Sequence, residues 1–113
     1  MSGVTTHVLD TARGRPAEGV PIRLERRGDD GAFALLGQGR TDADGRLRTL
    51  TPAGLPGAGV YRLVFDTGVY FQALGTAGFY PEVSVLFEVR DPSQHHHVPL
   101  LLNPFGYSTY RGS

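Results

Sequence analysis

Cysteine, lysine and tryptophan are all missing from the sequence. Without cysteine there are no disulfides, no thiolate metal sites and no thiol nucleophile. Without lysine there is no Schiff-base chemistry on a lysine side chain. The apolar runs are far shorter than the ~20 residues that cross a bilayer, and the first ten residues lack the basic-then-apolar order of a signal peptide. We therefore expect a cytoplasmic protein that does not enter a membrane.

Neither sign of charge is in excess, because eleven arginines balance eleven acidic residues. The chain thus has no large net field that would attract nucleic acid or an anionic membrane surface. Its 113 residues, of which 40% are apolar, have the size and composition of one globular domain spanning residues 1–113.

Glycine and proline are abundant, with sixteen and eight copies, and such frequent turn residues favour strands over helices. Alternating apolar and polar residues predict a β-sandwich of seven or eight short strands. The predicted strands are 4–9, 20–27, 33–41, 46–50, 60–66, 83–89 and 95–103. Residues 67–76 are the one candidate helical turn, with Thr67 as N-cap and Gly75 or Gly78 at its end. Pro99 indicates that the last strand is an edge strand or contains a bulge.

The clearest chemical signal is histidine, which occurs at His7 and at His95, His96 and His97. Because strand residues two apart share a face, His95 and His97 should lie together, with His96 on the opposite, apolar face. Three interpretations of the pair stay open at this point. They are a polar strand edge, a metal site with His7 as third ligand, and acid–base catalysis.

The end of the chain, residues 105–113 (FGYSTYRGS), is aromatic, whereas chain ends usually consist of small polar residues. We expect this tail to dock rather than to extend freely into solvent. If it docks in a pocket, Arg111 and the terminal carboxylate enter with it.

Three segments together resemble one known family. They are residues 6–10 (THVLD), residues 41–46 (TDADGR), and residues 95–102 (HHHVPLLL) leading into 107–113 (YSTYRGS). With the closing Tyr-Arg-Gly-Ser, the sequence resembles the 5-hydroxyisourate hydrolases, the enzymatic branch of the transthyretin-like family, over nearly its whole length. Small departures are His96, where the family often has tyrosine, and Asn103, where it often has serine.

The resemblance implies an all-β, transthyretin-like eight-stranded sandwich of two antiparallel sheets with one short helix. It implies a hydrolase that needs neither cofactor nor metal and acts in urate degradation. The substrate would be 5-hydroxyisourate and the product 2-oxo-4-hydroxy-4-carboxy-5-ureidoimidazoline. It further implies a homotetramer, a dimer of dimers, with sites at the dimer–dimer interface that are built from two chains.

Carried over by motif, the resemblance implies a set of site residues. The catalytic residues would be His7, Arg46, His97 and Ser113, and the substrate-binding residues His7, Arg46, Tyr110, Arg111 and Gly112. The two histidines would share the base and orienting roles, and which of them takes the proton stays open. The alternative is a non-catalytic transthyretin-like carrier of a small ligand, and a third interpretation is a generic β-sandwich interaction module.

Overall fold

Two facing β-sheets form the structure, a computed structural model that describes residues 3–113. Its strands are β1 (Gly3–Asp10), β2 (Arg15–Pro16), β3 (Pro21–Arg27), β4 (Phe33–Arg40), β5 (Arg46–Leu47), β6 (Gly59–Phe65), β7 (Val83–Val89), β8 (His95–Asn103) and β9 (Gly106–Thr109), and its helix is α1 (Thr67–Ala73). The predicted sandwich with one short helix is confirmed. Within residues 3–113, no helix has the length and apolar character that crossing a membrane requires.

One sheet has the order β2-β1-β8-β9 with β5 also paired to β1, and the other has the order β4-β3-β6-β7. Every pairing is antiparallel except that of β1 with β8, which is parallel. The predicted pair of antiparallel sheets is thus confirmed, with this one parallel pairing as an exception. The two strands come from opposite ends of the chain, so no hairpin dictates their relative direction.

The core lies between the sheets and follows the predicted alternation. In β3 the side chains of Ile22 and Leu24 are buried, and in β8 those of Val98, Leu100 and Leu102 are buried. Burying each such side chain contributes about 1.5–3 kcal/mol. His96 is on the same inward face and is 4% exposed, as the two-residue period predicts.

The helix begins one residue earlier than predicted. Asp66, not Thr67, is the N-cap, since its carboxylate accepts the backbone N–H of Val69 at 3.3 Å. The hydroxyl of Thr67 instead donates to the carbonyl of Tyr80 at 2.7 Å. The predicted end is confirmed, because Gly75 follows the C-cap in the left-handed region, at φ +69°.

Pro99 is not in an edge strand, since β8 lies between β1 and β9. The carbonyl of Pro99 points toward β9, where it accepts the hydroxyl of Thr109 at 2.6 Å. The N–H and the carbonyl of one strand residue point to the same side, so the N–H that proline lacks would also face β9, which ends at Thr109. The chain then continues in register and pairs again through the bridge between His97 and Gly112.

Two further segments differ from the sequence prediction. The strand expected over residues 46–50 stops at Leu47. The hydroxyl of Thr51 accepts the N–H of Val4, which a longer β5 would use for its own pairing with β1. The tail was expected to dock, and it does so as β9 along β8. That strand was not predicted because its side chains, unlike those of a core strand, are mostly exposed.

A buried hydrogen bond joins α1 to β1 and predicts a measurable stability loss. The Tyr70 hydroxyl donates to the Asp10 carboxylate at 2.7 Å, and Asp10 is 1% exposed. Burial and this bond raise the pKa of the Tyr70 phenol, which keeps it a donor. We expect Tyr70→Phe to lower the free energy of unfolding by about 1–3 kcal/mol, since a buried acceptor loses its partner. Urea unfolding checks this, and an unchanged midpoint would contradict it.

Candidate active site

Three strands bring predicted residues from all three motifs to one outer face of the sandwich. In the parallel pairing of β1 with β8, Thr5 is opposite His97. In the antiparallel pairing of β1 with β5, His7 is opposite Arg46. Because Thr5 and His7 are two residues apart on β1, the side chains of all four residues project from the same side of the sheet.

An open cavity of about 480 Å³ lies on this face. The side chains lining it that concern the chemistry are Thr5, Arg46, Arg48, His95, His97 and Ser113. The cavity thus combines two imidazoles, two guanidinium groups and two hydroxyls. Such a lining suits a small polar or anionic molecule, because arginine donates paired hydrogen bonds in a plane and imidazole exchanges protons near neutral pH.

The surroundings of His97 favour the neutral form of its imidazole. Partial burial lowers its pKa below the ordinary 6.5, and the positive charge of Arg46 lowers it further, followed by His7 and His95. Its Nδ1 is 2.8 Å from the hydroxyl of Thr5. No hydrogen bond within residues 3–113 occupies its other ring nitrogen, Nε2, which therefore remains for a ligand or water.

The Asp42–Gly45 turn, which lies in the second motif, positions Arg46. One carboxylate oxygen of Asp42 accepts the backbone N–H groups of both Asp44 and Arg46 at 2.9 Å. The bond from Arg46 is the largest cause that lowers the pKa of Asp42. Gly45 has φ +75°, and a Cβ there would lie 2.4 Å from the carbonyl oxygen of Val8, so the turn requires glycine.

His7 is joined to the same turn. Its Nε2 is 2.8 Å from the carbonyl oxygen of Asp44. A carbonyl only accepts hydrogen bonds, so Nε2 carries the proton and Nδ1 is the basic nitrogen of the neutral ring. His7 therefore holds the turn that precedes Arg46, and it is also one of the groups that lower the pKa of His97.

The tail reaches the cavity through Gly112. Its N–H donates to the carbonyl of His97 at 2.8 Å. A Cβ at position 112 would lie 2.6 Å from Cδ2 of His97, so only glycine lets the tail approach this imidazole. The close approach brings Ser113 into the cavity lining.

Tyr110 and Arg111 lie elsewhere in the single chain. They line a smaller, mainly apolar cavity of about 220 Å³ beside β7, together with Phe87 and Val98. A guanidinium nitrogen of Arg111 is 3.4 Å from the side-chain oxygen of Gln94. Of the residues implied by the resemblance, the structure brings together His7, Arg46, His97, Gly112 and Ser113, and it does not place Tyr110 and Arg111 with them.

The family model for the "HIUase/Transthyretin family" matches residues 4–112 of this chain. The chain belongs to this family. It is 49% identical over 117 residues to a 5-hydroxyisourate hydrolase of Caulobacter vibrioides, with all of both chains covered. It is 46% identical over 114 residues to the mouse (Mus musculus) 5-hydroxyisourate hydrolase, covering 99% of this chain and 96% of that one.

Solved structures of both branches of the HIUase/Transthyretin family are similar to this one. The Klebsiella pneumoniae 5-hydroxyisourate hydrolase superposes with a TM-score of 0.87 at 40% identity, with both chains fully covered. Sea bream transthyretin in complex with thyroxine gives a TM-score of 0.90 at 32% identity, covering 96% of this chain and 93% of that chain. The fold is therefore common to hydrolase and transthyretin, and only the site residues can separate the two functions.

The structure adds Thr5 and Arg48 to the cavity lining, and it adds His95, which the sequence predicts beside His97 but the family resemblance leaves out of the site. Thr5, Arg48 and His95 are each two positions from a predicted site residue, and so each shares that residue's face. The two-residue period was therefore the signal that could have found them. As for a metal, no group of three or more His, Asp or Glu side chains is arranged to hold an ion in the part of the chain that the structure describes.

Proposed function

We propose that the chain hydrolyses 5-hydroxyisourate to 2-oxo-4-hydroxy-4-carboxy-5-ureidoimidazoline, a step of urate degradation. The observation that carries this proposal is one cavity lined by His97, Arg46 and Ser113. It supplies a neutral base, a cation and a hydroxyl, the groups that hydrolysis of a flat polar ring requires. Relatives that bear the name 5-hydroxyisourate hydrolase support the same activity.

In the proposed mechanism, Nε2 of His97 takes a proton from water while the water oxygen attacks a ring carbonyl carbon. The lowered pKa of His97 keeps the imidazole neutral at pH 7, as a base must be. The carbonyl oxygen becomes an oxyanion. When the oxyanion collapses, the ring C–N bond breaks and the nitrogen takes the proton back from His97, so that the base is regenerated.

The cation for this oxyanion is Arg46. Arginine binds an anionic, urate-like ring through two parallel hydrogen bonds and stabilises negative charge that develops in the transition state. Ser113 hydrogen-bonds the substrate or the attacking water. His7 contacts the substrate. It also orients Arg46, because its bond to Asp44 holds the turn before Arg46. Tyr110, Arg111 and Gly112 belong to the proposed substrate-binding set.

We propose a homotetramer, a dimer of dimers, in which a second copy of the domain formed by residues 1–113 completes each site. The cavity of the single chain is open, so one wall is left for another chain. Large apolar side chains on the surface, such as Phe79 at 70% and Leu86 at 60% exposure, support assembly. Light scattering on the purified chain tests the tetramer. Location in the cytosol stays a prediction from the sequence.

The deciding experiment generates 5-hydroxyisourate from urate with urate oxidase, adds the protein and follows the decay of the absorbance. The assay contains a strong chelator, because the proposed site is free of metal. We expect the decay to accelerate well above the spontaneous rate. Decay at the spontaneous rate would overturn the hydrolase and leave the carrier, which would bind a small ligand without converting it.

The pH dependence of the proposed reaction follows from His97. A base acts when it is neutral. As the pH decreases, kcat/KM should therefore stay constant past pH 6.5 and decrease only when the pH reaches the lowered pKa of His97. Arg46→Gln removes a cation that lowers this pKa, and should therefore raise it. NMR titration of the His97 ring protons in both proteins measures the two midpoints. A wild-type midpoint above 6.5, or one that Arg46→Gln leaves unmoved, would contradict this assignment.

A further inference from the structure

Thr5 lies between two imidazoles on the outer face of β1 and β8. Its hydroxyl oxygen is 2.8 Å from Nε2 of His95 and 2.8 Å from Nδ1 of His97. A hydroxyl has one hydrogen and so donates to only one of these nitrogens, but it can accept from the other. The direction of the two bonds therefore decides which nitrogen of each ring carries a proton.

One of the two directions leaves the open nitrogen of His97 basic. Nε2 of His97 has no hydrogen-bond partner within residues 3–113, so it remains for a ligand or water in the cavity that His97 lines. The nitrogen of His97 that faces Thr5 is Nδ1. If Nδ1 carries the hydrogen, the hydroxyl of Thr5 accepts from His97 and is left with its own hydrogen for His95.

We propose that Thr5 is a positioning residue for the proposed hydrolysis: its hydroxyl accepts Nδ1–H of His97 and donates to Nε2 of His95, which leaves Nε2 of His97 unprotonated as the base. The direction of the two bonds and the consequence in turnover rest on the proposed hydrolase function, whereas the contacts of Thr5 with both rings do not. His95 acts through Thr5, as the acceptor that keeps the hydroxyl hydrogen away from His97. In the reverse arrangement the hydrogen of His97 would sit on Nε2, and that nitrogen could not take a proton from water.

The charges around the cluster favour the neutral form of the His97 ring, which this arrangement requires. Six residues surround His97. They are Arg46 and Arg48 on the β5 side, Thr5 and His7 on β1, His95 on the same strand, and Ser113 in the tail. Cations predominate among these groups, and nearby positive charge disfavours a second positive charge on an imidazole. A neutral His95 can accept at Nε2, whereas a charged His95 could only donate there.

The test reads the imidazole tautomers of the full chain by long-range ¹H–¹⁵N NMR at pH 8, without substrate, in wild type, Thr5→Val and Thr5→Ser. Wild type and Thr5→Ser should have His97 protonated at Nδ1, and Thr5→Val should show a mixture with Nε2–H. In the assay, Thr5→Val should lower kcat roughly tenfold with little change in KM, the effect of about one lost hydrogen bond. Thr5→Ser should retain most of the activity.

Thr11→Val is the matched control, because it removes another threonine hydroxyl that bonds β8, here the carbonyl of Leu102 at 3.2 Å, away from the histidines. It should change neither the tautomer nor kcat. If Thr5→Val fails to fold, Thr5→Ala replaces it. Wild-type His97 protonated at Nε2 overturns the proposal, as does Thr5→Val with an unchanged tautomer. A wild-type chain without turnover but with Nδ1–H on His97 would overturn the hydrolase function and leave the hydrogen-bond assignment standing.

Discussion

Replacing His97 with alanine is expected to lower kcat/KM at least ~100-fold, the size of a general acid–base contribution, whereas His95→Ala keeps substantial activity. The two side chains share one strand face and one cavity, and burial and the charge of Arg46 lower the pKa of His97. His95 is exposed and reaches the site through Thr5. Steady-state assays of the two variants with freshly generated 5-hydroxyisourate give the comparison.

The pair makes its own control, because both substitutions truncate a surface-facing imidazole of β8 to the same side chain. Circular dichroism and urea unfolding should show both variants folded, since neither residue belongs to the buried core. Equal losses of activity would show that the base has been assigned to the wrong histidine, or that the two act together.

Much of the fold was predictable because the apolar side chains alternate so regularly. Ile22 and Leu24 in β3, and Val83 and Val89 in β7, are buried at every second position, as a sheet with one buried face requires. The same period correctly separated buried His96 from the outward pair His95 and His97. It says which side of a strand a residue occupies, and nothing about which strand is its neighbour.

The assembly of the site depends on that neighbour relation and so could not be derived from local pattern. His7 and His97 are 90 positions apart in the sequence and meet because β1 and β8 pair in parallel. From the sequence, only the family resemblance and the hypothesis of a shared metal site link them. Thr5 was overlooked for the same reason, since a threonine two residues before His7 has no special meaning until His95 and His97 lie opposite.

The tail shows how one residue can change a local prediction. From the sequence, Pro99 indicates an edge strand or a bulge, because proline cannot donate to a sheet ladder. Here the ladder continues on the β1 side, and the missing donor faces β9 instead. The interruption frees Tyr110 and Arg111 from pairing before Gly112 bonds His97 again. A central strand can thus contain a proline when the neighbouring strand on the side of the missing N–H ends at that position.

Deleting residues 110–113 is expected to abolish turnover and to leave the fold nearly intact. None of these residues belongs to the buried core, and β9 remains paired with β8 as far as Thr109. The deletion removes Ser113 from the cavity and the N–H of Gly112 from the carbonyl of His97. Thermal unfolding measures the first expectation, and the absorbance assay measures the second.

Two outcomes separate a catalytic tail from one that only seals a contact between subunits. If the tail acts in the site, light scattering should give the truncated chain the same mass as the full chain, and Ser113→Ala should lower kcat roughly tenfold on its own, about one lost hydrogen bond. If the tail only seals an interface, the truncated chain should dissociate, and Ser113→Ala should keep its activity at protein concentrations that preserve assembly. A truncated chain of unchanged mass and full activity would refute both roles, because the cavity would then function without Gly112 or Ser113.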